Sequence, residues 1–134
     1  MTDFSPSPFR RGQIAGALFL ALGATCGALG AHALETVMTP DRLDSWGTAS
    51  LYFLVMGAGL IGASQSASQR RSQVALDAVW VGTVLFSCSI MGLVTLATLE
   101  VGAAWRAVLG PVTPLGGVLM IGGWMGWAWS RRSL

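Results

Sequence analysis

The chain has no lysine, one histidine and two cysteines, and only 10% of its 134 residues are charged. A soluble domain carries about 25% charged residues. The scarcity is also uneven: charge sits in short clusters between long apolar runs, and the mean hydropathy is +0.62. The eight basic residues are all arginines outside those runs, so they orient a chain in a bilayer and form no nucleic-acid patch. One histidine and two cysteines make no metal-ligand pattern. Met56, Met91 and Met120 are set aside as haem or copper ligands for the same reason. Cys26 and Cys88 both fall in apolar runs, where thiols act as small apolar fillers, and no disulfide is expected. There is no HExxH, CxxC, P-loop or G-x-S-x-G motif, and no acidic pair lies in an apolar run. These absences exclude the familiar enzyme classes; the expectation is a non-enzyme with no cofactor.

What is present is apolar sequence in four blocks. Residues 1–11 read as a cytoplasmic leader, extended through Ser5-Pro6-Ser7-Pro8 and closed by Arg10-Arg11. Residues 12–130 form one transmembrane domain with spans at about 12–34, 47–66, 76–99 and 108–129, and 131–134 are a cytoplasmic tail. The first run covers about 34 Å as helix, enough for a hydrocarbon core of about 30 Å. A signal peptide, with Ala31-His32-Ala33 as its cleavage site, is the competing reading; the run exceeds a usual signal-peptide core. Asp44 or Ser45 is expected to cap the second helix.

The fold class is all-α, a four-span helix bundle with its fourth span interrupted near Pro111 and Pro114. Both prolines lack backbone donors and disfavour helix in the preceding residue, so Thr113 is expected as N-cap with Pro114 at the first helical position. Four spans put both termini on one side. Arg10, Arg11, Arg70, Arg71, Arg131 and Arg132 share that side, against Arg42 and Arg106 on the other. The positive-inside rule places the termini in the cytoplasm of a bacterial-type inner membrane. Trp46 and Trp105 mark the outer interface, and Trp80, Trp127 and Trp129 the inner one.

Polar groups gather in the outer half. His32 and Glu35 end the first helix, one turn apart. Thr48, Ser50 and Tyr52 open the second; Thr95 and Thr98 end the third; Thr113 starts the fourth. Intramembrane ionisable groups are costly and invite a functional reading, yet a histidine there more often satisfies an interhelical hydrogen bond. The expectation is that His32 pins helix one to helix four, bonding to the segment Gly110–Thr113 or to Tyr52. At mid-depth Ser87 and Ser89 either line a pathway or admit a neighbouring helix; packing is the favoured reading. Gly12/Gly16, Gly23/Gly27, Gly59/Ala63 and Gly122/Gly126 have small-xxx-small spacing, read as internal packing.

Several stretches together resemble a known family. They are Ala21-Leu-Gly-Ala with Gly30-Ala-His-Ala-Leu34, Trp46-Gly-Thr-Ala-Ser-Leu-Tyr52, Gly82-Thr-Val-Leu-Phe-Ser87 with Ser89, and Val112-Thr-Pro-Leu-Gly-Gly117 with Gly123-Trp124. The chain resembles the family called domain of unknown function 423, or transmembrane protein 256-like. The resemblance implies a small four-span membrane protein without an established activity. With the polar groups named above, it gives His32, Glu35, Trp46, Tyr52, Ser87, Ser89, Thr113, Pro114, Gly116, Gly117 and Trp124 as candidate polar or packing residues. The family usually has glutamine and histidine where Phe53 and Met56 stand, and a Gly-Ser-Leu-Tyr step at Cys88-Ser-Ile-Met91. A two-histidine site, if the family uses one, has lost half here. The leading expectation is therefore a non-catalytic helix-packing protein or accessory subunit. Its partners would be the bilayer and other membrane proteins or itself. A small transporter or channel is the alternative, as is a lipid- or quinone-binding module anchored at His32 or Tyr52.

Overall fold

A computed structural model describes residues 8–66 and 69–132. Met1–Ser7 of the expected leader, Ala67 and Ser68 of the second loop, and Ser133 and Leu134 of the tail lie outside the described residues. Among the described residues there are four α-helices and no strand: α1 (Pro8–His32), α2 (Pro40–Ser64), α3 (Arg70–Thr98) and α4 (Ala103–Ser130). All four are long and apolar enough to cross a membrane.

The surface is inverted relative to a water-soluble protein. Thr83, Ser87 and Ser72 are almost fully buried, while Val118 is 67% exposed, Ile121 63% and Leu18 58%. Apolar faces of that extent on a monomer require an apolar medium. The chain is an all-α, four-helix membrane protein.

Each helix starts earlier than its apolar run. Pro8 opens α1, where a proline's missing donor costs nothing. Thr39-Pro40 opens α2, so Asp44 and Ser45 lie within the helix and do not cap it. The hydroxyl of Ser45 instead donates to the Asp41 carbonyl (3.0 Å) and that of Thr48 to the Asp44 carbonyl (3.0 Å).

The expected interruption of the fourth span does not occur. α4 runs unbroken through Pro111 and Pro114. The missing donors cost two helical bonds, those to the carbonyls of Ala107 and Gly110. A break inside the bilayer would free still more backbone groups where no water can satisfy them. Thr113 is thus a mid-helix residue, and the helix is started by Gly102, which has φ 70°. Two Thr-Pro pairs in one chain behave differently because only Thr39-Pro40 follows a loop.

The helices form two antiparallel hairpins. α1 packs along α2, α3 packs along α4, and the hairpins join through α2 and α3. Among the described residues the α1 backbone comes near α3 at only a few positions and does not come near that of α4. Glycines set both hairpin crossings. A methyl group on Gly16 would stand 2.6 Å from the Gly57 carbonyl oxygen, and one on Gly57 would stand 2.7 Å from the Gly16 oxygen. A methyl group on Gly116 would stand 2.5 Å from the Phe86 amide nitrogen and 2.8 Å from the Gly82 oxygen. The apolar core sits where the hairpins meet: Phe19, Phe53, Leu60, Ala63, Leu76 and Val79, with Phe19 and Phe53 rings 5.3 Å apart.

α3 ends in a tight reversal. The amide of Val101 donates to the Leu96 carbonyl (3.1 Å) and that of Glu100 to the Ala97 carbonyl (3.3 Å), which is the Schellman pattern. It forces Glu100 to φ 56°, a left-handed conformation that costs an L-residue about 1–2 kcal/mol. Part of that is offset because glycine orders at a higher entropic cost. Glu100→Gly should therefore stabilise the protein by about 0.5–1 kcal/mol, seen as a higher midpoint of thermal unfolding in detergent; an unchanged or lower midpoint would refute the strain argument.

Candidate functional site

Several polar side chains inside the bundle join helices, while Thr83 and Ser64 bond back to the Val79 and Ile61 carbonyls of their own helices. On the first hairpin the hydroxyl of Ser50 donates to the Gly23 carbonyl (2.7 Å), and the indole N–H of Trp46 donates to the Cys26 carbonyl (2.8 Å). The small residues of α1 make this reach possible. A methyl group on Gly27 would stand 3.2 Å from the Ser50 hydroxyl, and one on Gly30 would stand 3.0 Å from the Trp46 ring. The accepting carbonyls keep their own helical partners, because a carbonyl oxygen has two lone pairs.

The second hairpin uses hydroxyl pairs. Ser89 Oγ lies 2.7 Å from Thr113 Oγ1 and 2.9 Å from the Phe86 carbonyl. A carbonyl cannot donate, so Ser89 gives its proton to Phe86 and Thr113 donates to Ser89. The same logic applies at the other end. Ser130 donates to the Trp127 carbonyl (2.7 Å), so Ser72, 2.8 Å away, donates to Ser130. Arg131 closes that end by donating from Nη1 to the Ser66 carbonyl (2.7 Å). Between hairpins the indole N–H of Trp124 meets Met56 Sδ at 3.1 Å, and the Tyr52 and Phe86 rings are 4.6 Å apart.

The structure brings Ser89 and Thr113 together and seats Trp46, Tyr52 and Trp124 at helix contacts. Gly116 marks the closest approach of α3 and α4; a methyl group on Gly117 would only touch Phe86, at 3.9 Å. Pro114 is exposed. Ser87 is fully buried, and its hydroxyl has no partner among the described residues; Trp127 Nε1 is in the same state. Trp127 is therefore not an outward interfacial ring. It packs edge-on against Trp124 with centroids 6.0 Å apart. Trp80, Trp105 and Trp129 are exposed, and Arg132 stacks 4.7 Å over Trp129. Cys26 and Cys88 are free thiols.

His32 does not pin helix one to helix four. It is exposed and makes no hydrogen bond among the described residues, where the α1 and α4 backbones do not come near each other. The packing stripe of α1 is Gly12, Gly16, Phe19, Gly23 and Gly30. At 100° per residue His32 falls about 180° from Gly23, so it faces away from the bundle. Glu35 is exposed in the following turn and pairs with no side chain among the described residues. Nor could His32 share a site with position 56. Met56 lies beside Gly57, level with Gly16 and Phe19 on α1, which puts it about 20 Å along the axis from His32. The anchors that replace the expected pin are Trp46 and Ser50. Ser72 and Ser130 escaped sequence reasoning, which weighs Met56 as a metal ligand and not as a joint between helices. A serine at each apolar-run boundary, Ser72 and Ser130, was the available signal for the first pair.

Among the described residues no group of three His, Cys, Asp or Glu side chains is close enough to hold a metal. What the arrangement offers chemically is helix cohesion. Comparison with known proteins gives a family and no activity. The family profile described as "Protein of unknown function (DUF423)" matches residues 26–117. The chain belongs to the DUF423 family. Members similar to it are named UPF0382 membrane proteins. One from Schizosaccharomyces pombe is 35% identical over 104 residues, covering 77% of this chain and 86% of its own. One from Staphylococcus haemolyticus is 34% identical over 117 residues, covering 81% and 89%. One from Staphylococcus epidermidis is 35% identical over 114 residues, covering 84% and 87%. No solved structure matches the chain. The family profile spans Cys26, whose carbonyl takes the Trp46 bond, through Gly117, one residue past the tightest α3–α4 crossing.

Two comparisons test this account of the DUF423 site. Trp46→Phe removes an interhelical bond and should lower stability by about 1 kcal/mol, whereas His32→Ala should stay within about 0.5 kcal/mol of the parent. Thermal unfolding in one detergent ranks them; a larger loss for His32→Ala would restore histidine as the anchor. Gly116→Ala should cost about 1–3 kcal/mol through overpacking. Gly122→Ala, where an added methyl group meets nothing within 4 Å, should stabilise α4 by up to about 1 kcal/mol. Equal effects would show that the α3–α4 crossing is not backbone-limited.

Proposed function

We propose that this DUF423 member is a non-catalytic helical unit of a bacterial-type inner membrane that associates laterally with other membrane proteins as an accessory subunit. Its termini would lie in the cytoplasm, following the six-to-two division of arginines. The observation that carries the reading is how the polar side chains are used. The hydroxyls of Ser50, Ser72, Ser89, Thr113 and Ser130 each bond to a neighbouring helix or to one another across helices. Among the described residues no three His, Cys, Asp or Glu side chains converge. By contrast α1 and α4 stand at the two ends of the helix row, each with one flank unpaired. On α4 that flank carries Pro114, Ile121 and Met125, all exposed.

The transporter reading rested on a broken fourth helix. α4 is continuous and the Thr113 hydroxyl is engaged by Ser89, so nothing specific favours it.

Photo-cross-linking in native membranes tests the proposal directly. A photoreactive residue at Ile121 should give one discrete protein adduct, either a fixed partner or a second copy, that persists through purification in mild detergent. A monodisperse monomer with no adduct from Ile121 or Met125 would overturn it.

A further inference from the structure

Between the start of α3 and the end of α4 an open groove of about 850 Å³ runs along the surface. Ala78, Gly122 and Gly126 form its floor, Val118 walls its deep end, and Arg70 and Arg71 stand at its mouth. Arg70 and Ala78 are eight residues apart, or about 12 Å of helix. The groove therefore begins at the level of the lipid headgroups and continues into the hydrocarbon. No atom lies within 4 Å of where a methyl group on Gly122 would be, so the floor is open glycine backbone. Both arginines are exposed, neither has a hydrogen-bond or ion-pair partner among the described residues, and no acidic residue lines the groove.

We propose that this groove binds an anionic phospholipid, with an acyl chain along the glycine floor and the phosphate on Arg70 and Arg71. Charge selects this occupant. A second copy docked through a two-fold axis along the membrane normal would bring the arginine pairs of both protomers together, and like charges oppose that. A zwitterionic lipid carries its own cation, so it gains less from the arginines. Guanidinium groups match phosphate oxygens in a bidentate fork. The groove between α1 and α3 provides a contrast within the molecule. It too has an arginine, Arg11, but Asp77 lines it as well and opposes an anion there. On α4 the groove floor at Gly122 and Gly126 lies about 100–140° around the helix from Ile121, while Val118 at the deep end borders the flank that carries Ile121 and Met125.

The experiment is native mass spectrometry of the full chain in mild detergent, titrated with phosphatidylglycerol, phosphatidylcholine of matched chains, or inorganic phosphate. A basic side chain at the membrane surface contributes about fivefold in affinity, so the pair should favour phosphatidylglycerol by about thirty-fold. The double substitution Arg70→Gln and Arg71→Gln should remove that preference and leave phosphatidylcholine binding as it was; Arg70→Lys with Arg71→Lys should retain most of it. Gly122→Leu, which fills the groove, should weaken both lipids. Arg10→Gln with Arg11→Gln should change neither. Thermal unfolding of each variant at the parent's midpoint shows that the fold is kept. Equal binding of the two lipids, an unaffected Arg70/Arg71 variant or unaffected Gly122→Leu would each overturn the proposal. So would inorganic phosphate binding as tightly as phosphatidylglycerol, or a dimer that Gly122→Leu abolishes.

Discussion

Backbone contact at glycine is the constraint on which this molecule depends. In a bilayer two apolar helices gain little by burying side chains against each other, because lipid is equally apolar. Cohesion must come from close packing and from hydrogen bonds made where water is absent. Gly16 against Gly57, and Gly82 against Gly116, bring the backbones near enough for both. Once α1 and α2 are that close, Ser50 and Trp46 reach carbonyls on α1 without stretching. Once α3 and α4 are that close, Ser89 meets Thr113 and Ser72 meets Ser130. A side chain at any of these glycines would separate the helices and strand the hydroxyls.

The two hairpins are joined by different means. Phe53, Leu60, Leu76 and Val79 fill the space between α2 and α3, and Trp124 reaches across from α4 to Met56. Phe53 lies in the core, and Met56 serves as a soft acceptor for an indole, a polar contact that joins α2 to α4. Among the described residues, Ser87 on α3 is the one buried hydroxyl without a hydrogen-bond partner.

The row arrangement has a consequence for the surface. Because α1 and α4 do not meet, the bundle does not close on itself, and α4 presents most of its circumference to the membrane. That circumference is not uniform. One part is a glycine-floored groove ending in Arg70 and Arg71; next to it, past Val118, is the apolar flank of Ile121 and Met125. A helix with two chemically different outer faces can hold a lipid on one and a protein on the other.

Composition, the four apolar runs and the arginine positions determined by themselves that this is a four-helix membrane protein, and the GAHAL and TPLGG stretches were enough to reveal its family. Those features are legible because they depend on transfer of whole segments to lipid, which sums over many residues. Two local inferences failed for a shared reason. Pro111 and Pro114 read as a break, and His32 read as a pin, when each was judged by its own chemistry. The bilayer's penalty for unpaired backbone kept α4 whole, and the 100° step along α1 turned His32 away from every partner. Which glycines face a neighbour, which hydroxyls pair, and which flank of α4 stays open depend on the rotation of each helix about its axis. Only the packed structure fixes that rotation, because it is set by backbone contacts between residues far apart in the chain.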